Sequence, residues 1–161
     1  MSHIANDLGE VRNKAVSMEM FWFWQRWLFG IGLIISFFGI MMALFSGTLL
    51  FDWMNRQIDP VFWSAREMTE EIETFKQWIY GVLGATMAGW GIFLGFIVYY
   101  PFKRKEKWAW YCLASDLVVW FPLDIGISLH LKVYFNAAFN TLIFTLAILP
   151  LIFTRKSFQS R

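Results

Sequence analysis

The sequence predicts an all-α fold, an integral membrane bundle of four transmembrane helices with both termini on the cytoplasmic side. An interfacial amphipathic helix is expected at its N-terminus, and the second helix is expected to extend beyond the membrane. Three observations predict this. Hydrophobic residues make up 58% of the 161 residues and charged residues 16%, whereas about a quarter of a soluble domain is charged. The deficit falls in blocks: residues 27–51, 78–100, 108–129 and 133–153 contain no Lys, Arg or Glu and run to 25, 23, 22 and 21 residues. About 20 apolar residues are enough to cross the roughly 30 Å hydrocarbon core. The third observation is the distribution of basic residues. Ten of them (Arg12, Lys14, Arg26, Lys103, Arg104, Lys105, Lys107, Arg155, Lys156, Arg161) fall on one side of the four spans, and four (Arg56, Arg66, Lys76, Lys132) on the other. Cytoplasmic loops carry the excess of Lys and Arg, so the side with ten is read as cytoplasmic. The localisation expected is a cytoplasmic (inner) or plasma membrane.

Residues 1–26 precede the first span. Leu8, Val11, Ala15 and Met18 recur at helical spacing beside Arg12 and Lys14, the pattern of an amphipathic helix lying on the inner interface. The tail carries acids as well as bases, and the apolar run after it is long, so a retained first helix is expected rather than a cleaved signal peptide. The first span covers 27–51. Trp22, Trp24 and Trp27 with Tyr99, Tyr100, Trp108 and Trp110 form an aromatic belt at the basic side, and Trp53, Trp78 and Tyr134 mark the other boundary.

The connection 52–77 is expected to be partly helical. Asp59–Pro60 is a helix-start signal, with Asp as N-cap and Pro at the first helical position. Val61, Ala65, Met68, Ile72 and Phe75 follow in phase with Ile79, so the second membrane helix is expected to begin near Pro60. Its polar face presents Glu67, Glu70 and Glu71. Acids there offset the macrodipole, or meet a basic partner.

Close packing is expected from the second span, 78–100. Apolar side chains gain nothing by leaving lipid, so helices associate through small residues and hydrogen bonds. Gly81, Ala85 and Gly89 form one ridge at steps of four, and Gly84, Ala88, Gly91 and Gly95 extend the small-residue surface. Gly30, Ser36, Gly39, Ser46 and Gly47 of the first span could receive it, or the ridge could join two copies of the chain.

A basic turn, 101–107, leads to the third span, 108–129, which holds two acids. A carboxylate at the membrane centre costs about 2.5–3.5 kcal/mol on the translocon scale, and such groups face protein or water. Asp116, Trp120, Asp124 and Ser128 recur every four residues and share one side of the helix. Pro122 lies between the acids and frees the carbonyl of Val118. The fourth span, 133–153, carries Asn136 and Asn140, also four apart, and a short tail, 154–161, follows. A short turn makes the third and fourth helices antiparallel neighbours. Residues equally far from Lys132 then lie at equal depth, which matches Asp124 with Asn140 and Ser128 with Asn136. His130 and Lys132 sit above, where either could reach Asp124.

Four readings of this seam compete. It is a hydrogen-bonded clamp fixing helix register, or a ligand pocket walled by Trp120, Phe121, Tyr134 and Phe135 with Asp124 as polar anchor. Alternatively it is a proton or ion path through Asp116 and Asp124, or an enzyme site using Asp124 with His130. The last two have less in their favour. No Asp, Glu, Lys, Arg or His lies between Trp108 and Asp116, and the sequence has no nucleophile elbow, phosphate loop or His-Glu-x-x-His motif. One cysteine, Cys112, and two histidines, His3 and His130, leave no disulfide, iron–sulfur or two-histidine haem set within this chain. No cofactor or metal is therefore expected. The net charge of +2 gives no basis for nucleic-acid binding. The function expected is that of a non-enzymatic accessory or assembly subunit, or a small-molecule binding module. The alternative is a membrane enzyme or transporter acting on a lipophilic substrate or proton at Asp124.

Overall fold

A computed structural model describes the backbone of residues 2–63 and 69–159, with side chains from residue 15 onward. Every regular element among the described residues is helical. Helix α1 spans Ser2–Phe45, and a 3-10 turn at Leu49–Phe51 leads into α2, Asp52–Trp63. Helix α3 spans Glu70–Ile97 and ends in a π-helical turn, Val98–Phe102. Helices α4, Lys107–His130, and α5, Tyr134–Gln159, complete the chain. Four segments are long and apolar enough to cross a membrane: Ala15–Phe45, Glu70–Phe102, Lys107–His130 and Tyr134–Gln159.

Two expected elements are corrected. The tail is not a separate interfacial helix, because α1 runs unbroken through it into the first span. Its 44 residues would extend about 66 Å, so one continuous helix carries both. The apolar spacing of the tail is in phase with the span after it, and no residue there breaks the helix. The second correction concerns the helix expected to start near Pro60. Asp59 and Pro60 lie inside α2, and α3 starts afresh at Glu70. Thr69 has an extended backbone (φ −77°, ψ 157°), and its hydroxyl accepts from the Ile72 amide at 3.5 Å. Glu70, Glu71 and Glu73 occupy the first turn, where carboxylates offset the macrodipole. Asp59 is not an N-cap but an ion-pair partner, 2.7 Å from Lys76 of α3. Glu67, also assigned to the acidic face, lies outside the described residues.

The close backbone approaches are α1 with α3, α4 with α5, and α1 with α5. Small residues permit the first. A Cβ on Gly39 would fall 2.5 Å from the amide nitrogen of Ala88, and one on Gly84 would fall 2.5 Å from that of Ala43. These helices touch through their backbones, and a side chain at either position would force them apart. The ridge that does this is Gly84–Ala88–Gly91, against Gly32, Ser36, Gly39 and Ala43. Of the Gly81–Ala85–Gly89 ridge, only Gly81 borders α1, where a Cβ would fall 3.8 Å from the Ala43 carbonyl oxygen; Ala85 and Gly89 are exposed, and a Cβ on Gly89 would meet nothing within 4 Å.

At the end of the molecule that carries the chain termini, Phe21, Phe102 and Phe158 are buried against one another, joining α1, the π-helical turn and α5. Lys103 lies over the Trp22 and Tyr99 rings, and Lys105 over Phe21, so the basic turn is fastened to the aromatic belt by cation–π contacts. Long polar side chains also meet backbone carbonyls at this end. The Trp27 indole donates to the Leu146 carbonyl at 3.1 Å. That is the carbonyl Pro150 cannot bond, because proline has no N–H to give to the residue four before it. Gln25, itself buried, donates to the Val98 carbonyl in the π-helical turn. Backbone groups freed by proline within an apolar environment need such donors.

Candidate functional site

The opposite half of the molecule is not closed. A cavity of about 490 Å³ lies among α1, α2, α3, α4 and α5. The turn between α4 and α5 sets its polar wall. Lys132 adopts a positive φ of 61°, and the Val133 amide reaches back to the Ser128 carbonyl at 2.8 Å. The chain thereby reverses within three residues, and α5 begins at Tyr134 directly beside the end of α4.

Equal depth on the two helices then becomes contact. Asn140 Nδ2 donates to Asp124 Oδ2 at 2.6 Å, and Asn136 Nδ2 donates to Ser128 Oγ at 2.8 Å. Asn136 Nδ2 also lies 3.4 Å from both Asp124 carboxylate oxygens. A carboxylate accepts and does not donate when ionised, so it orients both amides with their nitrogens toward Asp124. Ser128 is buried behind the seam. Asp124, Asn136 and Asn140 line the cavity, and so do Trp120 and Asp116, one and two turns back toward the start of α4.

The remaining walls come from residues that sequence reasoning did not single out. Helix α3 contributes Tyr80, Leu83, Thr86, Met87 and Trp90; α1 contributes Ile35, Phe38 and Met42. Trp90 meets Trp120 across the gap at 5.7 Å between ring centroids. Helix α2 closes the far end. Met54 and Ile58 put its inner face on the cavity, and Phe51 of the preceding 3-10 turn is buried beside them. Trp53 packs edge-on to Phe135 at 5.3 Å, and the Asp59–Lys76 pair ties α2 back to α3. The signal for the α3 wall was present in the spacing: Tyr80, Leu83, Met87 and Trp90 form a stripe of large side chains beside the glycine ridge.

Three residues assigned to the seam or its walls lie elsewhere. His130 is exposed at the end of α4, and the hydrogen-bond partners of Asp124 are the two asparagines. Helical spacing explains this, because six residues on one helix put His130 on a different face from Asp124. Phe121 turns away to stack on Phe144 at 4.1 Å, and Tyr134 is exposed. The walls facing the polar seam are therefore those of α1 and α3, and not Phe121 and Tyr134.

Toward the termini the cavity ends against apolar side chains. Beyond Asp116 the space between helices narrows to about 20 Å³ and is lined by Leu94, Leu113, Leu117 and Leu151 among others. All four are buried. The two acids thus stand in a chamber with a polar wall on α4 and α5, aromatic and methionine walls elsewhere, and an apolar floor. Comparison with known proteins finds no matching family model, no matching curated protein and no matching solved structure.

Proposed function

We propose that the chain is a polytopic membrane protein, both termini cytoplasmic, whose cavity binds a small lipophilic molecule. Asp124, held by Asn136 and Asn140, anchors the polar end of that molecule. The observation that carries this reading is the cavity itself: about 490 Å³, inside the roughly 300–1,000 Å³ range of ligand pockets, with mostly apolar walls and a few convergent polar groups. A clamp that only fixed helix register would need Asp124 and its asparagines. It would not need an open chamber with a second acid, Asp116, in its wall. The apolar floor of Leu94, Leu113, Leu117 and Leu151 favours binding over conduction, since an ion or proton path needs polar groups on both sides of Asp116.

Orientation rests on the ten-to-four distribution of basic residues. In a Cys112→Ala background, an impermeant thiol reagent applied from outside should label a cysteine at Glu70 and miss one at Lys105. The reverse pattern would invert the assignment of sides.

Native mass spectrometry after gentle detergent extraction tests the binding reading. The wild-type chain should retain one small molecule, and Leu83→Trp, which fills the chamber from the α3 wall, should lose it. Retention of the same mass by both proteins would place the molecule elsewhere and remove the support for a cavity ligand.

A further inference from the structure

The charge balance of the chamber identifies the class of its occupant, an inference that rests on the cavity binding a ligand at all. The lining contains two carboxylates, Asp116 and Asp124, and no Lys, Arg or His. The nearest cations on neighbouring elements are engaged or directed elsewhere. Among the described residues, Lys76 holds Asp59 at 2.7 Å, and Arg56 of α2, His130 and Lys132 are exposed. Asp124 receives its hydrogen bonds from neutral amides, which orient a carboxylate without supplying a counter-charge. Asp116 shares the chamber wall with Trp90 and Trp120, again neutral groups. Carboxylates within an apolar interior are costly until paired with opposite charge, and among the described residues none of the chamber's lining side chains is a cation.

The aromatic walls favour the same sign. Trp120 lies on the α4 face between the two acids, one turn from each, and Trp90 stands against it at 5.7 Å. The faces of indole rings attract cations, more strongly when water is excluded. Asp116 and Asp124, eight residues apart on one helix, are separated by about 12 Å of rise, so a single cationic nitrogen over Trp120 feels both. Beyond it, Phe38, Met42, Met54 and Ile58 give an apolar environment to the rest of the molecule.

We propose that the chamber takes a lipophilic cation, an amine or quaternary ammonium whose nitrogen sits over Trp120 between Asp116 and Asp124, with its hydrocarbon part against α1 and α2.

The test compares two probes of one shape. Phenylbutyl-trimethylammonium carries a fixed positive charge, and its carbon isostere, with a neutral quaternary carbon in place of nitrogen, carries none. Binding is followed by tryptophan fluorescence of the full chain in neutral nanodiscs of phosphatidylcholine. The ammonium is expected to bind at least about tenfold more tightly than the isostere. Asp116→Asn, which leaves the Asp124 seam intact, should reduce that preference, and Asp116→Asn with Asp124→Asn should abolish it. If Asp124→Asn alters folding, the single Asp116→Asn variant still decides the matter. Equal or tighter binding of the isostere to the wild type would overturn the cationic assignment and leave a neutral-ligand cavity. If neither probe binds, and native mass spectrometry finds no retained molecule, the binding reading falls and the cationic assignment with it.

Discussion

Helix α3 presents two different surfaces to the rest of the molecule. On one, Gly84, Ala88 and Gly91 bring its backbone against α1 so closely that no added Cβ fits at Gly39 or Gly84. On the other, about 100° around the axis, Tyr80, Leu83, Met87 and Trp90 stand across an open chamber from α4 and α5. The first contact is made of van der Waals approach alone. The second relies on polar groups that satisfy one another on α4 and α5 and leave space on the α3 side. In lipid, where burial of apolar surface supplies no drive for helices to associate, close approach at one seam lets the neighbouring one stay open. A tight pair and a hydrogen-bonded hairpin together hold a cavity that neither would hold alone.

The comparison can be broken at the tight seam most severely. Gly39→Leu should drive α1 from α3, because its first side-chain carbon already falls 2.5 Å from the Ala88 nitrogen and 2.6 Å from the Gly84 carbonyl oxygen. Overpacking a well-packed contact costs about 1–3 kcal/mol, occasionally more, and backbone is the obstacle here. Loss of monodisperse protein, or a large fall in its thermal midpoint in detergent, is the expected outcome. A wild-type midpoint would mean that the two helices are not in backbone contact.

The polar seam should yield by less. Asp124→Leu strands the Asn140 amide at about 1–3 kcal/mol for the unsatisfied group, while Asn136 keeps its bond to Ser128. Asp124→Asn should lose little, since an amide oxygen can still accept from Asn140. Equilibrium unfolding of the two variants side by side checks the order; equal losses would mean that Asp124 contributes charge rather than hydrogen bonding. The smallest effect belongs to Gly89→Leu, on the outward ridge where nothing stands within 4 Å. Monomer stability should change by no more than about 0.5 kcal/mol. A change in oligomeric mass with unchanged monomer stability would identify the ridge as a surface for a further helix.

The polar half of this arrangement could be read from the sequence better than the apolar half. Four polar residues at helical spacing, on two spans joined by a short turn, have few ways to meet. Asp124 with Asn140 and Ser128 with Asn136 followed from distance to Lys132 alone, and these pairs are joined by hydrogen bonds. The aromatic walls were harder. In water an apolar stripe marks the buried face of a helix, but in lipid both faces are apolar and the stripe no longer points inward. Hence Phe75 and Ile79, taken as the continuous face of an extended second helix, are exposed, and the inward positions are Lys76 and Tyr80. The same ambiguity hid which of two glycine ridges would meet α1. The start signal at Asp59–Pro60 misled for another reason. An Asp before a Pro favours a cap locally, but the partner of Asp59 is Lys76, seventeen residues away, and no local rule contains that contact.

One paired measurement tests the account most directly. Leu83 and Gly84 are consecutive residues of α3, one facing the chamber and the other the backbone of α1. Leu83→Trp and Gly84→Trp add a side chain of the same size to the two surfaces, and their thermal midpoints are read in the same detergent with ligand removed. The account predicts that Leu83→Trp keeps or raises the wild-type midpoint by filling space. Gly84→Trp should lower it by roughly 6 °C or more, the shift expected from overpacking of about 3 kcal/mol in a chain of this length. Equal losses for the two variants would mean that both surfaces are closely packed and that α3 does not border an open chamber.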